Sequence, residues 1–252
     1  MADLIRLDMD GAVAIITLDN PPHNLIGGEF IEQYCAAQEK AVADGARAIL
    51  VRSELRHFCA GADVGALGAG GDRTPAHETL NRLESIPIPT VAAVHGAVLG
   101  GGFELALACD FIVAGDSAQI GSVEVAIGLA PLLGAVQRLV DRAGPARARE
   151  IAMLGRRYSP EVLERWGIIN LVVADNELHS ASLSMARQLA AGPTVALGCI
   201  KRLVRTSVTK GVKAADKALE EELAPMWESN DVKRGMEAMK QTGPGTAIFE
   251  GN

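Results

Sequence analysis

Leu99-Gly100-Gly101-Gly102-Phe103-Glu104-Leu105 is the stretch on which the reading of this chain turns. Three consecutive glycines remove every Cβ where a helix is about to start, so the backbone can approach another backbone or a ligand closely. The helix reads from about Gly101 to Ala108. Glu104 falls near its start, among Phe103, Leu105, Ala106, Leu107 and Ala108. A carboxylate in so apolar a helix is expected to be enclosed, and an unpaired buried charge is costly. The competing reading of Glu104 is a surface acid that complements the helix N-terminus. The glycines do not form a dinucleotide fingerprint: the spacing is Gly96-x-x-x-Gly100, not G-x-G-x-x-G.

Working outward, a second acid, Glu124, follows Ala118-Gln119-Ile120-Gly121-Ser122-Val123 and is flanked by Val125, Ala126 and Ile127. Paired carboxylates suit water addition or proton shuttling at carbon, because one group takes a proton while the other gives one. Upstream, Phe58-Cys59-Ala60-Gly61-Ala62-Asp63 is a second turn of small residues. Backbone N–H groups from two such turns, with Ala62 and Gly101 as the candidates, can bind one carbonyl oxygen as charge builds on it. Gly101 also lies at a helix N-terminus, where the dipole favours an oxyanion. Tight packing is the alternative reading of both turns. Asp63 and Asp110 read as turn formers or N-caps. His95 reads as a satisfied packing residue, and Trp166 and Trp227 as packing. His23 and Arg56-His57 read as exposed surface or as contacts to an anionic ligand.

Composition bounds the function classes. The 252 residues allow one large domain or two small ones, and a hydrophobic fraction of 48% is ample for a core. A net charge of −7 argues against sequence-independent nucleic-acid binding, which needs a basic surface. Cys35, Cys59, Cys109 and Cys199 form no C-x-x-C pair and read as reduced thiols. The five histidines show no metal-ligand spacing. The N-terminus does not read as a signal peptide and no apolar run is long enough to span a membrane, so the expected location is the cytoplasm, without a membrane partner.

Along the chain, Leu4 to Leu7 and Ala12 to Leu18 read as a hairpin turned at Asp10-Gly11. A helix is expected from Gly28 to Ala43, with Phe30, Tyr34, Ala37 and Ala41 at helical spacing, then a short buried strand from Ala48 to Val51. Residues 53–74 read as a glycine-rich loop, the segment expected to be most mobile. A helix over Pro75 to Ser85 leads through Ile86-Pro87-Ile88-Pro89 into a strand from Thr90 to Val94. After the glycine triplet come a strand from Asp110 to Ala114 and helices over Leu133 to Asp141, Pro145 to Leu154 and Glu161 to Trp166, then a strand from Ile168 to Val173. Glu177 to Lys240 reads as nearly all helical, broken at Gly192-Pro193, Gly211 and Asn230-Asp231. The expected division is a core of residues 1–190 carrying the site and a helical region of residues 191–252.

Taken together, these motifs resemble the enoyl-CoA hydratase/isomerase (crotonase) superfamily, and within it the enoyl-CoA hydratases most closely. The likeness runs from Ala12-Val13-Ala14-Ile15-Ile16-Thr17-Leu18 through Pro21 and Asn24, the A-G-A-D turn ending at Asp63, and Gly100-Gly101-Gly102-x-Glu104. It continues through Cys109-Asp110, Glu124, Gly128, Pro131, Gln137-Arg138-Leu139, Gly155-x-x-Tyr158-Ser159, Gly167-Ile168-Ile169-Asn170 and Asp231-x-x-x-Gly235-Met236. It therefore covers essentially the whole chain.

The resemblance implies an α/β fold, a spiral of ββα units with a helical C-terminal region that assembles trimers or hexamers. It implies a coenzyme A thioester substrate and no separate cofactor or metal, coenzyme A being part of the substrate. By position, Ala62 and Gly101 match the oxyanion-hole donors, and Glu104 and Glu124 match the two acids of the hydratases. Ala60, Asp63, Val64, Gly65 and His23 fall where the family holds the coenzyme and thioester. The implied reaction is reversible syn addition of water to a 2-enoyl-CoA, giving a 3-hydroxyacyl-CoA. Double-bond isomerisation and non-catalytic acyl-CoA binding are the alternatives. The chain departs from the pattern at Val64-Gly65-Ala66-Leu67, which lacks a basic residue, and at His23, where Lys or Arg is usual. It also departs at Ser122-Val123 in place of Gln-Pro, and at Leu132-Leu133-Gly134-Ala135 in place of a glycine-richer turn.

Overall fold

The computed structural model describes residues 3–67 and 75–252. Two strands, β1 (Ile5–Asp10) and β2 (Val13–Leu18), form the expected antiparallel hairpin. It joins β3 (Ala48–Ser53), β4 (Thr90–Val94), β6 (Phe111–Gly115) and β8 (Leu171–Val173) in a six-stranded sheet of order β1-β2-β3-β4-β6-β8, parallel from β2 onward. Parallel strands need cover on both faces. Here β4 is buried along its whole length and β3 at every position but Arg52.

A second, smaller parallel sheet pairs β5 (Ala97–Leu99) with β7 (Gln119–Gly121). Single bridges widen it: Ile26 to Ala62, Cys59 to Val98 and Ile120 to Tyr158. The chain thus repeats one move. A strand of the large sheet turns into a short segment of the small sheet, and a helix returns to start the next strand. In successive turns the helix is α1 (Gly28–Ala43), then α2 (Val64–Leu67) with α3 (Ala76–Glu84), then α4 (Gly101–Leu107), then α5 (Ala135–Leu154). This is the expected spiral of ββα units.

One face of the large sheet packs on α1 and α4 through Ile16, Ile49, Ala92, Ile112, Phe30, Phe103 and Leu105. The opposite face, with Val13, Leu50, Val91 and Val113, is covered by α7 (Leu178–Ala190), which follows α6 (Pro160–Arg165). Leu178, Ser182, Ala186 and Ala190 of α7 are buried at four-residue intervals, a single stripe of mostly small side chains that brings the helix close to the strands. The chain ends in α8 (Thr194–Lys210), α9 (Val212–Glu228) and α10 (Asn230–Gln241). Arg47 ties this region to the sheet through Thr194 Oγ1, Gly192 O and Phe249 O. Among the described residues no helix is long and apolar enough to cross a membrane.

Some expectations need correction. The strand read over Ile168 to Val173 is only Leu171–Val173, because the Ile168 N–H closes the C-terminal turn of α6 onto Leu163 O. The two helices expected here do form: the Ala135–Leu154 span is divided at Gly144, whose φ of 76° and ψ of 170° are not helical, just before Pro145. Trp166 packs edge-on against Tyr158, with the Arg147 guanidinium 4.0 Å above its ring, as a packing residue would. Trp227 does not: it is 61% exposed on α9, a helix with no buried residue in this chain. Of the loop expected to be mobile, residues 68–74, with Gly68, Gly70 and Gly71, lie outside the described residues.

Asn24 locks the turn that carries Ile26 to the small sheet. It is fully buried at a left-handed φ of 53°. Its Nδ2 donates to Ser53 Oγ, Phe58 O and His57 O, and its Oδ1 accepts from Asn20 N–H. Replacing Asn24 with Ala strands these groups and adds backbone strain, and is expected to cost about 2–4 kcal/mol of stability. Asn24→Gly, which accepts the φ but not the bonds, should cost less than Asn24→Ala in a denaturant titration. Equal losses would mean that the conformation contributes nothing.

Candidate active site

Each glycine of the triplet has its own physical reason. Gly100 sits at φ 51°, ψ −121°, a conformation that side chains disfavour, and its N–H donates to Gly121 O. Gly102 lies so close to Cys59 that a Cβ would overlap that residue's carbonyl oxygen and side chain. A Cβ on Gly101 would stand 3.7 Å from Ala62 N and 3.0 Å from the end of Ile26. The two candidate donor turns are therefore brought side by side.

The pairing pattern leaves Ala62 free to donate. Ile26 receives its ladder bonds from the residues flanking Ala62: Ile26 N–H donates to Gly61 O, and Asp63 N–H donates to Ile26 O. In a parallel bridge this turns the N–H of Ala62 itself away from Ile26. Gly101 is the first residue of α4, so its N–H has no partner within the helix.

Glu104 is 3% exposed. Its Oε1 accepts two backbone hydrogen bonds, from Leu133 N at 2.7 Å and Ala135 N at 3.0 Å. Gly134, between them at φ 84°, lets the two N–H groups converge on one oxygen. Burial pushes the Glu104 carboxyl above the usual range, the two N–H bonds pull it back, and the nearby charge of Glu124 adds to the rise. Glu124 opens a 3-10 turn, Glu124–Ile127, and is half-buried. Its Oε2 accepts from Ser122 Oγ at 2.7 Å. Its Oε1 lies against Gly100, buried and with no hydrogen-bond partner.

Three anchoring groups escaped the sequence reading: Ser122 for Glu124, and the Leu133 and Ala135 amides for Glu104. Their signal was present at two of the positions where the chain departs from the family pattern. A hydroxyl two residues before an acid, and a glycine between two apolar residues, are the features that do the anchoring.

The remaining candidates fall into two groups. Ala60, Asp63, Val64 and Gly65 continue the Ala62 turn. Asp63 Oδ1 accepts from Gly65 N–H at 3.0 Å at the start of α2, as a capping residue does, and Val64 is 57% exposed. His23 is exposed; its carbonyl accepts from Ala60 N–H, and its ring stacks on His57 at 5.6 Å. Asp110 lies elsewhere. Its Oδ2 accepts from Thr90 N–H, Thr90 Oγ1 and Lys201 Nζ, a clasp between the sheet and α8 rather than a helix cap. His95 is satisfied by Leu55 O at 2.8 Å. Among the described residues no group of three or more His, Cys, Asp or Glu side chains is arranged to hold a metal ion.

The chain matches the family model described as enoyl-CoA hydratase/isomerase over residues 8–246. It is 30% identical to a probable enoyl-CoA hydratase of Bacillus subtilis (strain 168), over 93% of this chain and 94% of that one. It is 34% identical to the carnitinyl-CoA dehydratase of Escherichia coli (strain K12), over 85% of each. The crystal structure of an enoyl-CoA hydratase from Polaromonas sp. JS666 superposes with a TM-score of 0.89 at 28% identity, over 98% of this chain and 99% of that one. Matched over nearly its whole length, the chain belongs to the enoyl-CoA hydratase/isomerase family.

Proposed function

We propose that this protein catalyses reversible syn addition of water to a 2-enoyl-CoA thioester. The observation that carries the reading is a pair of neighbouring acids, Glu104 buried and Glu124 half-buried against Gly100, next to the turn where the Ala62 and Gly101 backbones lie together. Those amides hold the thioester oxygen and stabilise the enolate that forms when C3 is attacked. Such a donor is typically worth about 3 kcal/mol in the transition state. Glu104 takes a proton from the attacking water. Its two backbone bonds preserve the charged form, while burial raises its basicity toward neutral pH, where a general base works best. Glu124 delivers a proton to C2 from the oxygen that Ser122 leaves unbonded. Ala60, Asp63, Val64, Gly65 and His23 hold the coenzyme side of the substrate.

Dehydration of a 3-hydroxyacyl-CoA is the same reaction reversed, and the likeness to carnitinyl-CoA dehydratase accords with it. Loss of enone absorbance on incubation with crotonyl-CoA tests the reading directly. Retention of the absorbance across a panel of acyl lengths would remove it.

Glu104→Gln and Glu124→Gln should each lower kcat by ~100-fold or more with acyl-CoA binding nearly intact. Impairment of only one variant would favour double-bond isomerisation, which needs one well-placed acid. Glu104 must be ionised to act, and its pKa is raised, so activity should be lost with falling pH from a higher pH than for an ordinary glutamate. A kcat/KM profile with its acid limb at or below the usual glutamate value would contradict that role.

Gly101→Val should lower kcat/KM by about 2.7–4 kcal/mol without unfolding the protein, while Ala62→Gly, which keeps the N–H, should lose much less. A Gly101→Val protein that turns over normally would disqualify this amide as a donor.

We also propose assembly into a trimer or hexamer. Leu219 and Trp227 on α9 are 45% and 61% exposed, and Ala215, Leu223 and Met226 are only partly covered. Faces of this kind ordinarily meet another copy. Light scattering at micromolar concentration should give a mass of three or six chains; a monomer would overturn it.

A further inference from the structure

A cavity of about 670 Å³ lies at the far end of β5 and β7 from the two acids. Ala97 and Gln119, the first residues of those strands, line it, whereas Gly101 and Glu124 follow their last residues. At roughly 3.3 Å per residue, the strands separate the cavity from the donor turn by about 10 Å. Ala93, Leu178 and Ser182 also line it, so it opens on the α7 face of the large sheet, opposite the face that α4 covers.

Its walls are cationic in a chain of net charge −7. Arg52, Arg56 and Arg157 line it with His57, His95 and His179. Its two carboxylates are already engaged. Glu54 pairs with Arg6 at 2.7 Å and Arg52 at 2.6 Å, and Asp175 accepts from Ser117 Oγ at 2.5 Å. Arg56 and Arg157 are exposed and have no carboxylate partner among the described residues. Two imidazoles are set as donors. His57 Nδ1 accepts from Ala97 N–H at 3.1 Å, and His179 Nδ1 accepts from Arg52 at 3.2 Å, which places the proton on Nε2 of each neutral ring. Burial and then the positive neighbours Arg56, His23 and His95 push the His57 imidazole below its ordinary range, as expected where positive charge is crowded.

We propose that this cavity is a second ligand site, separate from the thioester site, and that it binds a phosphoanion. Two unpaired guanidinium forks and two imidazole N–H groups exceed what the two oxygens of a carboxylate can accept, whereas a phosphoryl group or a diphosphate offers enough acceptors to engage all four. The volume admits a phosphorylated small molecule larger than inorganic phosphate.

Isothermal titration of the full chain with pyrophosphate, against sodium chloride of equal ionic strength, tests this without requiring turnover. Saturable binding of one pyrophosphate per chain is expected. Arg56→Gln and Arg157→Gln should each weaken it at least tenfold while leaving the melting temperature of the free protein unchanged, since both side chains are exposed. Binding should also raise the His57 pKa followed by NMR. Saturating coenzyme A should leave pyrophosphate affinity unaltered. Three outcomes would overturn the proposal: no binding beyond the salt control, binding unchanged in the double variant, or competitive displacement by coenzyme A but not by pantetheine. The last would make the cavity part of the coenzyme's own footprint.

Discussion

The backbone of Gly102 rests against the carbonyl and side chain of Cys59, in a space that holds no Cβ. That contact joins the start of α4 to the middle of the small sheet, and the rest of the site depends on it. With Gly102 seated, Gly101 faces Ala62, and Gly100 must take its left-handed turn to connect β5 to the helix. Glu124 then packs along Gly100. The Ala62 and Gly101 backbones and one acid are thus placed relative to one another by main-chain contact, which relaxes less than contact between flexible side chains. Substituting a larger residue at position 102 would separate the two layers rather than reshape one side chain.

The two acids sit in contrasting environments. Glu104 is almost fully enclosed and bonded through one oxygen to two amides; Glu124 is half-buried, bonded through one oxygen to a hydroxyl. Among the described residues no salt bridge reaches either acid. Asp110, with Lys201 and Thr90 around it, shows how a carboxylate is stabilised where the fold uses it as a clasp. A lone carboxylate kept enclosed at a cost to folding is a group whose environment favours moving a proton over holding a structure.

Much of the frame was legible because its signals are long. Gly28–Ala43 has its apolar residues at helical spacing over four turns, and β3 and β4 are short apolar runs bounded by turn residues. The four C-terminal helices are punctuated by Gly192-Pro193, Gly211 and Asn230-Asp231, which stop helices for known steric reasons. The small sheet was not legible. β5 and β7 have three residues each, too few for any alternation to register, and they exist because the turns around them bring them together. The same holds for the amides of Leu133 and Ala135. A backbone donor has no residue type, so composition and motif reading pass over it. Trp227 departed from expectation for a different reason: an aromatic on an amphipathic helix signals an apolar face, but not whether this chain covers it.

Because the amides of Leu133 and Ala135 hold Glu104, its anchors are independent of the side chains at those positions. Leu132 and Val136, in the same stretch, are 47% and 40% exposed. The side chains beside Glu104 can therefore change in bulk and polarity while its carboxylate keeps its bonds, provided Gly134 keeps the turn. In such an arrangement the place of the acid and the surface beside it are separately inherited: the backbone transmits the first, and the side chains of the same loop are free to vary the second.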